Sequence, residues 1–219
     1  MSVAHPWLEQ EPWPTQVMPK EMLEKRIERV LTMTNMAYLG TVKKDGSPIV
    51  SPLEFYADKF TLYIFPQPKS PKAYAIKRDP RVAIAVANPM AGWACVMGCQ
   101  IFGKAKLLDV DTPEWEHGMK VFKWQASSAE LGRQLDHPPR GQLARIEPER
   151  IVYTEHLMRK EGYAPRQIWT AGAEELQVVP GGTSDSKLTK TRLRNLAGSC
   201  CGCPRALRLL SCADARYIQ

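Results

Sequence analysis

The sequence lacks the features that would place a protein in several large functional classes. It has no run of about 18 consecutive apolar residues, the length that a membrane-spanning helix requires, and its longest apolar run, residues 82–87, has the length of a strand. Residues 1–19 contain four prolines and two glutamates where a secretory signal would need an apolar stretch. We therefore expect a cytoplasmic chain without membrane segments, in which residues 1–19 form an irregular lead-in.

Several motifs of hydrolytic, metal and nucleotide chemistry are absent as well. The chain has no H-E-x-x-H helix, no P-loop, no G-x-G-x-x-G turn and no Ser-His-Asp set. Its four histidines are scattered, and each is expected to be a solvated side chain rather than a catalyst: His5, His117, His137 and His156. We predict no catalytic residue from these patterns.

The six cysteines do not form a persuasive metal site. Cys95 and Cys99 lie in an apolar stretch, where free thiols usually fill space in the core. The other four lie in the last 20 residues, and the Cys200-Cys201-x-Cys203 cluster is not matched by a second ligand pair at zinc-binding spacing. The prediction is therefore no metal.

The net charge of +7 is concentrated in the C-terminal tail. From residue 181 onward there are seven basic and two acidic residues, so +5 of the charge belongs to the tail and the preceding chain is nearly neutral. A basic tail can bind nucleic acid, but it is more often a solvated end. Binding that depends on the tail would be lost on truncation at residue 180, and we expect no nucleic-acid partner.

The order of predicted elements indicates a mainly β (α+β) fold. Asp45-Gly46 between two apolar runs predicts a β-hairpin, and a second hairpin follows around residues 57–59. Successive hairpins favour an antiparallel barrel with flanking helices over a parallel sheet. The predicted helices are 20–31, 70–78 and 112–135, and the predicted strands are 36–42, 49–56, 60–65, 81–87, 93–110 and 141–153, the last interrupted by a turn at 147–149. This domain is expected to span residues 20–172, followed by a linker and disordered tail at 173–219.

The segment from residue 65 to residue 82 carries the clearest chemical signal. Ser70 is a helix N-cap candidate, Pro71 suits the first helical position, and Asp79-Pro80 ends the helix after about two turns. The helix start therefore combines the positive end of the helix dipole with the ammonium groups of Lys69 and Lys72. This arrangement is typical of an anion site, and phosphate is its usual occupant.

The same segment resembles the pyridoxamine 5′-phosphate oxidase-like FMN-binding split β-barrels. The shared features are the strand–turn–strand unit, the Ser70-x-Lys72 helix start and the Asp79-Pro-Arg-Val82 passage into the next strand. The resemblance runs from about residue 38 to residue 109, and residues 145–151 are also similar to the family. It implies an antiparallel split barrel in which Ser70 and Lys72 hold the FMN phosphate. We add Lys69 to these phosphate-binding candidates because it directly precedes Ser70 in the sequence.

Further cofactor contacts follow from the resemblance alone. It implies that one strand lines the isoalloxazine ring and that a polar side chain reaches the flavin from a second subunit of a homodimer, for which Gln100 is the candidate. Arg166 and Trp169 are weaker candidates for substrate binding, since arginine holds anions and tryptophan stacks on rings. The ring-lining residues would be Val50, Ser51, Pro52 and Leu53, with Phe65 and Pro66 on the return strand.

Two departures from the family bear on the substrate. Val50 stands where true pyridoxamine phosphate oxidases carry an arginine for the flavin phosphate. The stretch at residues 164–169 lacks the histidine and the second arginine of the Arg-Leu-His-Asp-Arg-like segment that holds the vitamin phosphate. The resemblance thus implies the fold and the flavin without implying the vitamin B6 substrate.

The expected function is FMN-dependent oxidoreduction of a small organic substrate, with hydride passing through flavin N5 to or from NAD(P)H or oxygen. Two alternatives stay open on the same scaffold. One is a reductase that uses the deazaflavin F420. The other is a non-enzymatic flavin- or haem-binding protein, although no histidine is well placed as a haem ligand.

Overall fold

The computed structural model describes residues 13–89, 92–133 and 135–179. Its helices are α1 (Lys20–Met33), α2 (Pro71–Arg78), α3 (Pro113–Val121) and α4 (Trp124–Glu130), with 3-10 turns at Trp93–Cys95 and His156–Glu161. Its strands are β1 (Met36–Val42), β2 (Pro48–Asp58), β3 (Thr61–Ile64), β4 (Arg81–Ala87), β5 (Met97–Leu108), β6 (Leu143–Glu155), β7 (Arg166–Thr170) and β8 (Gln177–Val178).

Six of the strands close into an antiparallel barrel. The sheet order is β3-β2-β1-β4-β5-β6-β7-β8, and a further pairing of β3 with β6 joins the two ends of the six-stranded part. All the ladders between these strands are antiparallel, as the run of hairpins predicts. The predicted class, a mainly β antiparallel split barrel with flanking helices, is confirmed.

Two apolar clusters hold the fold together. The first fills the barrel with alternate residues of the strands and includes the apolar stripe of α1, formed by Leu23, Ile27, Val30 and Leu31. The second lies outside the barrel, where α3 packs on β3 and β6 through Trp115 and Met119. Gly118 permits this contact, because a Cβ there would stand 2.4 Å from Leu143 Cδ2. The second cluster positions the α3–α4 connection beside the candidate site.

The helix predicted over residues 112–135 is wrong as a single element, because it divides into α3 and α4 at Phe122 and Lys123. Lys123 has the left-handed φ of 52°. Phe122 and Trp124 are both buried. In one continuous helix these two side chains would point about 200° apart, since each residue advances about 100°. The break lets both side chains reach the apolar cluster, and burial therefore outweighs helical continuity.

Two strand predictions also need correction. The strand predicted from residue 93 begins at Met97, after the turn at Trp93–Cys95. The turn predicted at residues 147–149 is instead a bulge within a continuous β6, where Pro148 pairs with Gly103 and Arg150 with Phe102. A proline is tolerated at a bulge because the ladder is interrupted there. The structure also adds β7 and β8, which the sequence analysis did not predict.

The predicted division at residues 19 and 172 remains a prediction, because residues 1–12 and 180–219 lie outside the described part of the chain. Within the described lead-in, Met18 is buried and its backbone N–H donates to Gln167 Oε1 at 3.1 Å. At the other end, β8 extends the sheet by pairing with β7. No helix in the described ranges is long and apolar enough to cross a membrane.

Candidate functional site

The start of α2 has the local structure that its sequence predicts. Ser70 is the N-cap, and its Oγ accepts a hydrogen bond from the Ala73 backbone N–H at 3.3 Å. Pro71 occupies the first helical position, where its missing N–H costs no hydrogen bond. Lys72 lies in the first turn and is half-buried, so a cationic side chain starts from the positive end of the helix dipole. This end of α2 therefore favours an anion.

The other end of α2 is fixed by Asp79. Its carboxylate accepts hydrogen bonds from the Arg81 backbone N–H at 3.1 Å and from Arg81 Nε at 3.0 Å. These hydrogen bonds lower the pKa of Asp79 to about 2, so the carboxylate stays charged at neutral pH. The contact orders the short connection between the end of α2 and the start of β4.

A cavity of about 520 Å³ lies beside the start of α2. Its volume falls within the range of about 300–1,000 Å³ typical of sites for small molecules and cofactors. One stretch of its lining comes from β2, β3 and α2, and the other from the chain between α3 and β6. The first comprises Pro52, Leu53, Glu54, Ile64, Phe65, Pro66, Gln67 and Lys72, and the second comprises Phe122, Trp124, Ser128, Leu131, Arg133, Leu135 and Pro139.

Aromatic contacts fix the two stretches to each other. The rings of Phe65 and Phe122 lie 5.9 Å apart, and Tyr56 meets Phe122 edge-on at 5.4 Å. Behind them, Trp115 Nε1 donates a hydrogen bond of 2.9 Å to the carbonyl of Gly141. The indole of α3 thereby anchors the loop that leads into β6. The cavity wall is thus continuous with the second apolar cluster and is held by its packing.

The acidic group of the lining is Glu54. Its Oε1 accepts hydrogen bonds from the Tyr56 hydroxyl at 3.0 Å and from Asn35 Nδ2 at 3.3 Å. Burial raises the pKa of the Tyr56 phenol above its usual value, so the hydroxyl stays protonated and remains a donor. These contacts orient the carboxylate from the β2 side of the cavity.

The structure brings together half of the predicted cofactor residues. The cavity lining includes Pro52, Leu53, Phe65, Pro66 and Lys72. The other candidates lie outside the lining. Ser70 caps the helix two residues before Lys72, Lys69 is exposed with a φ of 65°, and Val50 and Ser51 precede Pro52 on β2.

Gln100 lies on a different part of the surface. The strand pairings place Pro52 opposite Tyr38, Tyr38 opposite Ala85, and Ala85 opposite Gln100. Three strand spacings therefore separate Gln100 from the cavity wall at Pro52, about 14 Å. This row belongs to an exposed, largely apolar surface that we call the open face, comprising Met36, Tyr38, Val50, Pro52, Ala83, Ala85 and Gln100.

The two substrate candidates also lie away from the cavity. Trp169 on β7 donates from Nε1 to Glu24 Oε1 at 2.9 Å, and its ring meets Phe60 edge-on at 4.9 Å. Arg166 is exposed at the start of β7, opposite Thr154. In this protomer Trp169 therefore packs β7 on α1, and Arg166 lies outside the cavity lining.

The lining that the sequence analysis missed is the stretch from Phe122 to Pro139. It was hidden because residues 112–135 were predicted to form one helix. The available signal was the Phe122-Lys123-Trp124 alternation, which places two large apolar side chains two residues apart. That spacing cannot bury both on one helical face, and so it indicates a break.

The similarity to solved structures concerns the fold. The chain matches ChuZ of Campylobacter jejuni with a TM-score of 0.57 and 15% identity, covering 74% of this chain and 64% of that one. It matches the conserved hypothetical protein Rv2991 of Mycobacterium tuberculosis with a TM-score of 0.50 and 20% identity, covering 67% and 91%. A heme binding protein from Mycobacterium smegmatis matches with a TM-score of 0.50 and 15% identity, covering 74% and 60%.

The similarity to a protein family is shown by the sequence itself. No curated protein matches the chain. The family model of pyridoxamine 5′-phosphate oxidase, however, matches residues 23–155, which is more than half of the sequence. That range includes all six barrel strands over their full length, and it includes the whole cavity lining. The chain therefore belongs to the pyridoxamine 5′-phosphate oxidase family.

Proposed function

We propose that this protein binds FMN in the cavity beside α2 and uses it to oxidise or reduce a small organic substrate. The observation that carries the proposal is the position of Lys72. It stands at the positive end of α2 and also lines a cavity whose neighbouring walls are Pro52, Leu53, Phe65 and Pro66. A cationic end joined to an apolar space matches a ligand with a phosphate at one end and a flat ring system at the other.

The phosphate would bind at the start of α2. Lys72 supplies a charge, and the first turn supplies backbone N–H groups and the positive end of the dipole. The Ser70 Oγ accepts from Ala73, and its own proton remains available to donate. Val50 supplies no charge, so in this chain the phosphate would depend on Lys72 and the helix start, with Lys69 close by.

The ring system would lie along β2 and β3. Bound FMN supplies the redox chemistry, because its N5 accepts or gives hydride. The residues of this chain would position the ring and exclude water. Pro52, Leu53, Phe65 and Pro66 offer apolar contacts, and the β2 backbone offers hydrogen-bonding groups for the polar edge of the ring. The protein would need no catalytic acid or base of its own for the hydride step.

The open face supports a homodimer as part of the same proposal. Val50 and Tyr38 on this face are 64% and 57% exposed, which is unusual for large apolar side chains grouped on one surface. The face adjoins the cavity at Pro52. In a two-fold dimer through this face, each site would meet the same surface of the partner. Gln100 of one protomer would then be the candidate to reach the flavin of the other, and Arg166 stays a weaker candidate for substrate binding.

The experiment is an absorbance spectrum of the purified protein, with mass analysis of the cofactor released by heat. We expect flavin absorbance bands and the mass of FMN. Affinities for FMN and riboflavin would then be measured in Lys72→Ala, with Lys77→Ala at the exposed far end of α2 as the matched control. Lys72→Ala should weaken FMN binding about tenfold or more and change riboflavin binding little, because only FMN carries the phosphate.

Other results would contradict the proposal or change the cofactor. A colourless protein that takes up no added FMN would contradict the proposal, and a released mass of F420 would replace the cofactor. A haem spectrum would likewise replace FMN as the assigned cofactor. The described lining of the cavity, however, contains no His, Met, Cys or Tyr side chain to serve as an axial ligand. An FMN affinity that falls equally in Lys72→Ala and Lys77→Ala would show that α2 does not bind the phosphate.

A further inference from the structure

We infer that Trp124 and Ser128 form a recognition point for substrate, where both hydrogen-bond one oxygen acceptor of a flat, apolar molecule. The inference rests on the proposed function, because it takes the β2 and β3 side of the cavity to be the place of the flavin ring. It names the substrate class of that site: a planar, largely apolar compound that carries a carbonyl or carboxylate oxygen.

The two residues are placed together by α4. They are four residues apart, so they lie one above the other on the same face of the helix, with Cβ atoms about 5–6 Å apart. Each is 8% exposed, and both line the cavity. The face of α4 that carries them is therefore the face that the cavity meets.

Both side chains carry a hydrogen-bonding group that the fold leaves unused. The indole of Trp124 has one N–H donor, and the hydroxyl of Ser128 donates once and accepts. Within the described ranges neither side chain makes a hydrogen bond, whereas the similarly buried indole of Trp115 donates to the Gly141 carbonyl. Neither Trp124 Nε1 nor Ser128 Oγ is among the fully buried unpaired atoms of the described ranges, so both groups are accessible to solvent at the cavity wall. A ligand in the cavity is a partner that both can share.

The surroundings of these two groups define the rest of the ligand. Phe122 and Leu131 flank them on the same stretch of chain, and Leu135 and Pro139 continue the wall. A flat, apolar body would be stabilised there by burial against these side chains. A ligand rich in hydroxyl or amino groups would find few hydrogen-bond partners on this wall.

A positive charge stands at the edge of the same wall. Arg133 lines the cavity, and its guanidinium makes no ion pair with a residue of the described ranges. It is exposed, so its effect on binding should be small and sensitive to salt. This charge would favour a carboxylate over a ketone as the oxygen acceptor, and the two are separable by experiment.

The test is a binding measurement on the full chain loaded with FMN. The probes are 2-acetylnaphthalene, 2-naphthoate and 2-ethylnaphthalene, which share the apolar body and differ in the oxygen acceptor. Binding is followed by the change in the flavin absorbance bands and by equilibrium dialysis. The variants are Trp124→Phe and Ser128→Ala, with Gln125→Ala on the exposed side of α4 as the control.

We expect the two oxygen-bearing probes to bind more tightly than 2-ethylnaphthalene. Each variant should weaken their binding by roughly two- to tenfold, the loss that one hydrogen bond predicts. Binding of 2-ethylnaphthalene and of FMN should not change, and Gln125→Ala should match the wild type. Arg133→Gln should lower the affinity for 2-naphthoate more than that for the ketone.

Three results would overturn the inference. The oxygen-bearing probes could fail to bind the wild-type protein, or they could bind both variants as tightly as the wild type. Alternatively, the variants could lose affinity for FMN itself, which would assign Trp124 and Ser128 to the flavin. If the wild-type protein takes up no FMN, the proposed function fails separately, and dialysis of the three probes against the flavin-free protein and its variants then decides the inference.

Discussion

Phe65 lies against Gly141 so closely that no side chain fits between them. A Cβ on Gly141 would stand 2.5 Å from Phe65 Cζ and 3.1 Å from Cε1. Phe65 lines the candidate cofactor cavity, and the carbonyl of Gly141 is held by Trp115 of α3. The second apolar cluster therefore sets the position of a ring in the cavity wall.

This contact predicts the effect of Gly141→Ala. The added methyl group should displace the Phe65 ring, lower the free energy of unfolding by about 1–3 kcal/mol and weaken FMN binding. Denaturant unfolding and flavin titration would measure the two effects. In the double variant Phe65→Leu/Gly141→Ala the smaller side chain should relieve part of the clash, so the two changes should be less than additive. Strict additivity would show that the contact is not the cause.

The open face predicts that Ala85→Glu will disrupt the proposed dimer. Ala85 faces outward between Tyr38 and Gln100, and a charge there would be buried without a partner in a two-fold interface. Sedimentation velocity should show a shift from dimer to monomer, and FMN affinity should fall with it. Leu157→Glu is the control, since Leu157 is also exposed but does not belong to the open face. An unchanged dimer in Ala85→Glu would place the interface elsewhere.

The environment of His156 predicts a pH dependence of stability. Burial lowers the pKa of His156 below its ordinary value of 6.5, and the charges of Arg159 and Arg166 lower it further. The unfolded chain therefore binds this proton more readily than the folded one. Stability should be fully retained above about pH 6.5 and should decrease as the pH falls through that value towards the lower pKa of the folded state.

A substitution at Arg166 checks the source of this effect. In Arg166→Gln the pKa of His156 should rise, and the acid-induced loss of stability should become smaller. Titration of the His156 ring by NMR measures the pKa, and thermal unfolding across the pH range measures the loss of stability. Lys77→Gln removes a charge elsewhere and should leave both unchanged. The absence of any pKa change in Arg166→Gln would contradict the arrangement of β7 beside His156.

The two cysteines of the described chain should differ in reactivity. Cys99 is buried in the barrel core, and burial raises the pKa of its thiol to about 12, whereas Cys95 is exposed. Because the thiolate is the reactive form, iodoacetamide at mildly alkaline pH should modify Cys95 and spare Cys99. Peptide mapping would measure this, and unfolding in guanidinium chloride should make both react. Modification of Cys99 in the native protein would contradict its place in the core.

The sequence predicted the parts of the fold that depend on local signals. The Asp45-Gly46 turn, the apolar stripe of α1 and the Ser70-Pro71 helix start all appear as predicted, because each is specified by residues close together in the chain. Burial overrode local preference between residues 112 and 135. Phe122 and Trp124 could both be buried only if the helix was interrupted at Lys123.

The candidate site divides in the same way. Lys72 was predicted from the local sequence of the helix start, whereas the walls at Pro52, Leu53, Phe65 and Pro66 were implied by the family resemblance. The wall from Phe122 to Pro139 was not predicted, because its approach to Phe65 depends on packing between distant segments. The barrel closure by β3 and β6 and the open face are likewise decided by long-range strand pairing. Local sequence thus determined the helix start at Ser70 and the hairpins, while only the tertiary structure decided which surfaces enclose the cavity, because burial depends on segments far apart in the chain.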